Sequence, residues 1–254
     1  MFSLNGKKAL VIGIANEDSI AFGCAKALRA QGADLAITFQ DDKANRIVSP
    51  IAEKLGADIV LPLDVREDGE FSRVFDAIRR SWGRIDICLH SIAFCPKHDL
   101  HSRVVDCSRG GFTTAMDISV YSFIRMARHA EPLMIGGGTC MTVSFFGAEK
   151  VVDHYNIMGP VKAALESVTR YMAAELGPKK IRVHALSPGP LKTRAASGIG
   201  HFDELLNKAA ERAPTHQLAT IEDVGAYAAF LASVEAANLT GGIHYIDGGY
   251  HIVG

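Results

Sequence analysis

Short apolar runs alternating with helical patterns constrain this chain more than any other feature. Residues 7–12, 34–39, 57–63, 85–90, 139–144, 181–186 and 243–246 each read as a buried strand of four to seven residues. Between them, residues 71–82, 112–133 and 162–176 carry helical patterns, and an apolar helix follows the first strand as far as Ala30. In 162–176 the apolar residues Ala164, Leu165, Val168, Met172 and Leu176 recur at three- and four-residue steps, before Gly177 and Pro178 stop the helix. Strand-helix alternation of this kind calls for a parallel, doubly wound α/β sheet covered by helices on both faces. The 254 residues are enough for one such domain, and no repeat or linker divides residues 1–254.

Composition excludes several classes. A net charge of −1 gives no reason to expect nucleic acid. No apolar run approaches the roughly 20 residues of a membrane span, and the N-terminus lacks the apolar core of a signal peptide. Cys24, Cys88, Cys95, Cys107 and Cys140 show neither pairing nor metal spacing, so free thiols in a reducing cytoplasm and no metal are expected.

In a doubly wound sheet, ligands bind beyond the carboxyl ends of the strands. The turns at 13–20, 40, 64–65, 91–96, 144–155 and 187–196 all fall on that edge. The first turn, Gly13-Ile-Ala-Asn-Glu-Asp-Ser-Ile-Ala, lacks the usual GxGxxG. Its small residues Gly13, Ala15 and Ala21, with Ser19 at the expected helix start, still let a pyrophosphate approach the backbone at a helix N-terminus. An ordinary strand-helix turn is the other reading. Gln40 ends the second strand, where an adenosine ribose would lie. Asp41 and Asp42 beside it would repel a 2′-phosphate, while Lys43 and Arg46 leave the opposite preference open. Asp64 and Val65 stand where a carboxylate can take the adenine amine.

Tyr155 and Lys162 are seven positions apart, so on one helix both would leave the same face. The ammonium would then favour phenolate and lower the tyrosine pKa toward working pH. Alone, such a pair is more often solvated surface. Cys95 reads as a pocket-wall thiol and His90 as a satisfied core histidine, since neither has a nucleophile partner or metal spacing.

Taken together, Gly13 through Ala21, Gln40, Asp64-Val65, His90-Ser-Ile-Ala-Phe, Tyr155-x6-Lys162 and Ser187-Pro-Gly-Pro-Leu-Lys-Thr-Arg resemble the short-chain dehydrogenase/reductase superfamily. Within it the chain resembles the divergent branch of bacterial NADH-dependent enoyl-acyl carrier protein reductases, whose Tyr–Lys spacing is seven rather than four. Asp117-Ile-Ser-x-Tyr-Ser-Phe, Arg170-Tyr-Met-Ala, Ala195-Ala-Ser-Gly-Ile and Thr220-Ile-Glu-Asp-Val-Gly extend the likeness over essentially the whole chain.

The resemblance implies a Rossmann-type fold, a homotetramer, and reduction of trans-2-enoyl thioesters with NADH. It makes Tyr155 the donor to the thioester oxygen and Lys162 the holder of the nicotinamide ribose. It places Gly13, Ala15, Ser19, Ile20, Gln40, Asp64, Val65, Ser91, Ile92 and Ala93 in the NADH site, closed by Leu191, Lys192, Thr193, Arg194 and Ala195. Cys95, Phe145, Tyr155, Met158, Ala195 and Ile199 would meet the substrate, under a lid at 192–212.

Four departures stand out. Phe145 replaces a common second tyrosine, Ala93 replaces a glycine, and Pro160 falls just before Lys162. Asp203 and Glu204 occupy the helix that in this family presents cations to an acidic acyl carrier protein. Carrier docking then needs a displaced patch of Lys192, Arg194, Lys208 and Arg212; without it, a coenzyme A thioester is the substrate. Two other readings remain: a short-chain carbonyl reductase or alcohol dehydrogenase, and an idle NAD-binding paralogue.

Overall fold

A computed structural model describes residues 2–193 and 202–253. Among them, seven parallel strands form one sheet in the order β3-β2-β1-β4-β5-β6-β7. The strands are β1 Lys8–Ile12, β2 Asp34–Phe39, β3 Ile59–Pro62, β4 Ile87–His90, β5 Gly138–Val143, β6 Ile181–Pro188 and β7 Ile243–Ile246. The third expected strand is shorter than 57–63, because the chain is still turning at Gly56 (φ 63°) as it leaves the preceding helix.

Side-chain alternation along each strand feeds two cores. Leu10, Ile12, Cys88 and Cys140 point to one face, where α3 (Asp68–Trp82), α5 (Arg109–Met116), α6 (Ser122–Ala130) and α7 (Met158–Leu176) pack. Ala9, Val11, Ile87, Leu89 and Met141 point to the other, covered by α1 (Ile20–Ala30), α2 (Asp42–Lys54) and α9 (Ile221–Ala232). Helices α1 and α9 touch through glycine: a Cβ at Gly23 would lie 2.3 Å from Ile221 O, and one at Gly225 the same distance from Gly23 O.

The long helix expected over 112–133 is broken. It divides into α5, a π-helical turn at Asp117–Tyr121, and α6, with a 3₁₀ turn at Glu131–Leu133. The π turn carries Ser119, whose hydroxyl accepts from Phe94 N–H at 3.0 Å and so ties the helix to the loop after β4. Helices α2 and α9 lie outside the patterns marked from sequence. Pro50 inside α2 obscured the first. For α9 the signal was present: Thr220 and Asp223 form a reciprocal capping box before the apolar run.

Candidate active site

The side of the sheet edge expected to take a nucleotide begins at Gly13. Its φ of 110° and a would-be Cβ only 2.2 Å from Ser91 O leave room for glycine alone. Ser19 caps α1 by position rather than by side chain: its hydroxyl donates to Asn16 O at 2.5 Å and accepts weakly from Ala15 N–H at 3.4 Å. No side chain caps the first turn of α1 and no acid sits in it. That leaves N–H groups and the positive end of the helix dipole for an anion. These features fit the diphosphate of a dinucleotide.

Farther along the edge, Gln40 Nε2 donates to Asp64 Oδ2 at 3.4 Å. Arg66, which the sequence reading missed, holds Asp64 Oδ2 at 2.5 Å through Nη2. These bonds keep the Asp64 carboxyl down at about 2, so it is an anion already paired with an arginine. The carbonyl of buried Val65 accepts from Arg125 Nη1 at 2.8 Å, and Arg125 in turn pairs with Asp68 at 2.6 Å.

A cavity of about 200 Å³ opens where β4, β5 and β6 end. Ile20, Ser91, Ile92, Ala93, Leu191 and Thr193 line it on the side expected for cofactor. Cys95, Phe145, Tyr155 and Met158 line it on the side expected for substrate, and Lys162 joins them. Gly13, Ala15, Ser19, Gln40, Asp64 and Val65 are outside this cavity, on the continuing edge. Arg194, Ala195 and Ile199 lie outside the described residues.

Tyr155 is not on the helix with Lys162. Helix α7 starts at Met158, and Tyr155 sits in the turn before it, between His154 (φ 63°) and Asn156 (φ 45°). Those left-handed residues break the helix N-terminal to α7. Pro160 is the third residue of α7, where its missing N–H costs nothing. Three contacts set the ring. Phe145 meets it edge-on at 4.9 Å between centroids. Gly147 leaves it space, since a Cβ there would lie 2.5 Å from Tyr155 Cδ1. Asn156 anchors the turn by donating from Nδ2 to Leu100 O at 2.9 Å.

Lys162 is 5% exposed and donates from Nζ to Val143 O at 2.7 Å. One turn farther, buried Glu166 accepts from Ser144 Oγ at 2.6 Å. Two side chains of α7 thus grip two consecutive residues at the end of β5. Glu166 was missed from sequence; its position four residues after Lys162, on the same helical face, was the available signal.

The electrostatics correct the sequence reading. Burial pushes the Tyr155 phenol above its ordinary pKa, and the Glu166 carboxylate adds to the rise. Burial also lowers Lys162 to about 8, with Glu166 opposing the fall. Both causes of the phenol's rise act against ionisation, so Tyr155 is a neutral O–H donor and not a phenolate. Burial likewise raises Glu166 itself, against the hydrogen bond from Ser144.

His90 is fully buried, with Nε2 2.7 Å from Ser122 Oγ and Nδ1 3.1 Å from Thr142 Oγ1. Burial and then the Lys162 charge lower it to about 3, which makes it a neutral core histidine as expected. Cys95 is a buried wall thiol, raised to about 11 mainly by burial.

Beyond the cavity, Phe202 opens α8 (Phe202–Arg212) and lines the wall. Three of the four cations expected to form a displaced basic patch there make solvent-exposed contacts of small energy, and Arg194 lies outside the described residues. Lys192 lies 3.9 Å from Asp203, Lys208 lies 3.6 Å from Asp153, and Arg212 donates to Val253 O at 3.0 Å.

Comparison with known proteins agrees with this geometry. Residues 13–251 match the family model described as enoyl-(acyl carrier protein) reductase. The chain is 46% identical over 251 residues to the enoyl-acyl-carrier-protein reductase (NADH) 1 of Rhizobium meliloti (strain 1021), covering 99% of this chain and 92% of that one. It is similar to the enoyl-acyl-carrier-protein reductase of Anaplasma phagocytophilum in complex with NAD, with TM-score 0.96, 44% identity, and coverage of 100% and 97%. It is also similar to the Bacillus cereus enoyl-acyl carrier protein reductase with NADP⁺ and indole naphthyridinone, with TM-score 0.97, 41% identity and full coverage of both chains.

Proposed function

The chain belongs to the enoyl-(acyl carrier protein) reductase family, and on that premise we propose that it reduces the 2,3 double bond of trans-2-enoyl thioesters with NADH in fatty acid elongation. The observation that carries the reading is the cavity at the strand ends, which takes in both Tyr155 and Lys162 beside Ile20 of α1. NADH supplies the hydride, delivered to the β-carbon of the enoyl group. Electron density then gathers on the thioester oxygen. Tyr155, kept protonated by its burial, donates a hydrogen bond there and stabilises the enolate by roughly 3 kcal/mol. A proton from solvent, taken up at the α-carbon, completes the saturated thioester.

Lys162 holds the ribose hydroxyls of the nicotinamide side, from an ammonium already fixed by Val143 O. Phe145 has no hydroxyl, so its part is to brace the Tyr155 ring. Gly13, Ala15, Ser19 and the first turn of α1 receive the diphosphate, and Gln40, Asp64 and Val65 the adenosine. Residues 1–254 act as one catalytic domain, with 192–212 as the substrate lid. Thr193 and Phe202, both in the cavity wall, support the lid assignment.

The enoyl group is presented on an acyl carrier protein. Among the described residues no helix is long and apolar enough to cross a membrane, and the reading places the protein in the cytoplasm. Exposed Phe112, Tyr121 and Tyr171, on helices of one sheet face, support a homotetramer, which light scattering would measure. Oxidation of NADH in stopped flow tests the activity itself, with crotonyl-CoA set against a small ketone. Turnover of the enoyl thioester alone is expected. Preference for the ketone would make the protein a carbonyl reductase, and turnover of neither an idle paralogue.

A further inference from the structure

The cavity opens between two unlike rims. One is α8, where Asp203, Glu204 and Glu211 accompany Lys208 and Arg212. The other is the segment 94–109, whose Phe94, Cys95 and Leu100 line the cavity wall. On this second rim Lys97, Arg103 and Arg109 are exposed, with His98 and His101 beside them. Phe94 and Val104 are each 48% exposed and Val105 76%.

Lys97, Arg103 and Arg109 outnumber the carboxylates Asp99 and Asp106, so segment 94–109 keeps a net charge of +1 with its histidines neutral. Asp99 is buried and turned inward, where it accepts from Ser108 N–H at 2.6 Å. Asp106 pairs with Arg103 at 3.4 Å in solvent, a contact of small energy. Among the described residues no carboxylate lies within ion-pair distance of Lys97 or Arg109.

The rim is also pre-organised. The Asp99–Ser108 bond ties the residue before α5 to α4 (Lys97–His101). Gly111 permits that approach, since a Cβ there would lie 2.1 Å from Asp99 Oδ2. The Asn156 bond to Leu100 O then fixes the rim to the turn that carries Tyr155.

We propose that the acyl carrier protein docks on the basic and apolar rim at 94–109, and not on α8. This rests on the enoyl-thioester reading above. A carrier protein presents acidic side chains and a phosphodiester at the root of its acyl arm. Positive charge beside the mouth steers such a partner, whereas on the other rim Asp203, Glu204 and Glu211 offset Lys208, Arg212 and the neighbouring Lys192. Val104 and Val105 give the encounter an apolar contact. The arm then enters past Phe94 and Leu100 toward Tyr155.

The test uses the full chain with Lys97→Glu, Arg103→Glu and Arg109→Glu combined. Two substrates carry the same trans-2-enoyl group, one on acyl carrier protein and one on N-acetylcysteamine, which is neutral and has no phosphate. The variant should raise KM for the carrier substrate roughly 10-fold or more and leave both constants for the neutral thioester unchanged. Wild-type KM for the carrier substrate should also rise with salt, and the variant's should rise less. If the glutamates disturb folding, the glutamine triple variant replaces them, with a smaller change of the same sign. An unchanged carrier KM overturns the proposal, as does a rise produced instead by Lys208→Glu with Arg212→Glu. A wild type that leaves the neutral enoyl thioester unreduced with NADH removes the activity reading itself, a different result from either of these.

Discussion

The floor beneath Tyr155 and the strand-end edge at Gln40 lie at the same carboxyl end of one sheet, yet they are built in opposite ways. On the floor, Tyr155, Lys162 and Glu166 are all less than a tenth exposed, and burial leads each of their pKa displacements. At the edge, Asp64 is governed by Arg66, whose side chain is 57% exposed. Water screens the second arrangement and not the first. Single changes on the floor should therefore alter chemistry, and those at the edge should alter affinity a little.

The largest effect is expected from Tyr155→Phe. Removing the hydroxyl should lower kcat by roughly 100-fold or more while NADH binding, measured by fluorescence titration, stays nearly constant. Unchanged turnover would mean that the floor is not special. Next comes Lys162→Ala, which should weaken NADH by about 10-fold as well as slow turnover, because it removes a charge-assisted donor to the ribose. If both variants gave the same phenotype, the two roles would be wrongly divided.

Titration sharpens the comparison. Lys162 loses its proton around pH 8, so NADH affinity should fall as pH rises through that value. Glu166 supports the charged form, and Glu166→Gln should move that limb to lower pH. The facing groups in this measurement are Glu166, Glu149 and Arg170, with His90 neutral on the β4 side. A limb that stayed in place would show that Glu166 only fastens Ser144.

The smallest effects belong to the edge. Arg66→Ala should cost no more than about 1 kcal/mol of stability in a denaturant titration. The same edge should favour NADH over NADPH, since Gln40 offers a hydroxyl partner and Asp41, which caps α2 by accepting from Ala44 N–H at 2.7 Å, keeps a negative charge nearby. A lower KM for NADPH would reverse this assignment.

The same contrast explains what the sequence could reveal. Strand alternation is a property of residue type, and all seven strands were legible. The edge was legible too, because turns after strands can be counted along the chain. The floor was only half legible. Tyr155 and Lys162 were visible as a pair, but their spacing suggested one helix, and the left-handed residue Asn156 places them on two elements. The sign of the tyrosine's pKa was also misread, since charge is written in the sequence and depth of burial is not. Glu166 went unnoticed because a glutamate in a helical pattern reads as solvent-facing until the packing of β5 against α7 is known. The π turn at Asp117–Tyr121 carries a tie to Phe94, 25 residues away in the chain, and no local pattern contains that contact.

The bond from Lys162 to Val143 O has a consequence in simple counting. An ammonium carries three hydrogens, and the backbone carbonyl at 2.7 Å takes one of them. Two remain on a side chain that lines the cavity. A ribose offers two adjacent hydroxyls, so the number of free hydrogens equals the number of oxygens to be held. The carbonyl also removes the freedom of the group to spin, and a rotor with three equivalent arms becomes a bracket with two fixed ones. Arginine would bring the same charge on five N–H groups locked in one plane, which cannot turn separately toward Val143 O and two hydroxyls, and the match would be lost.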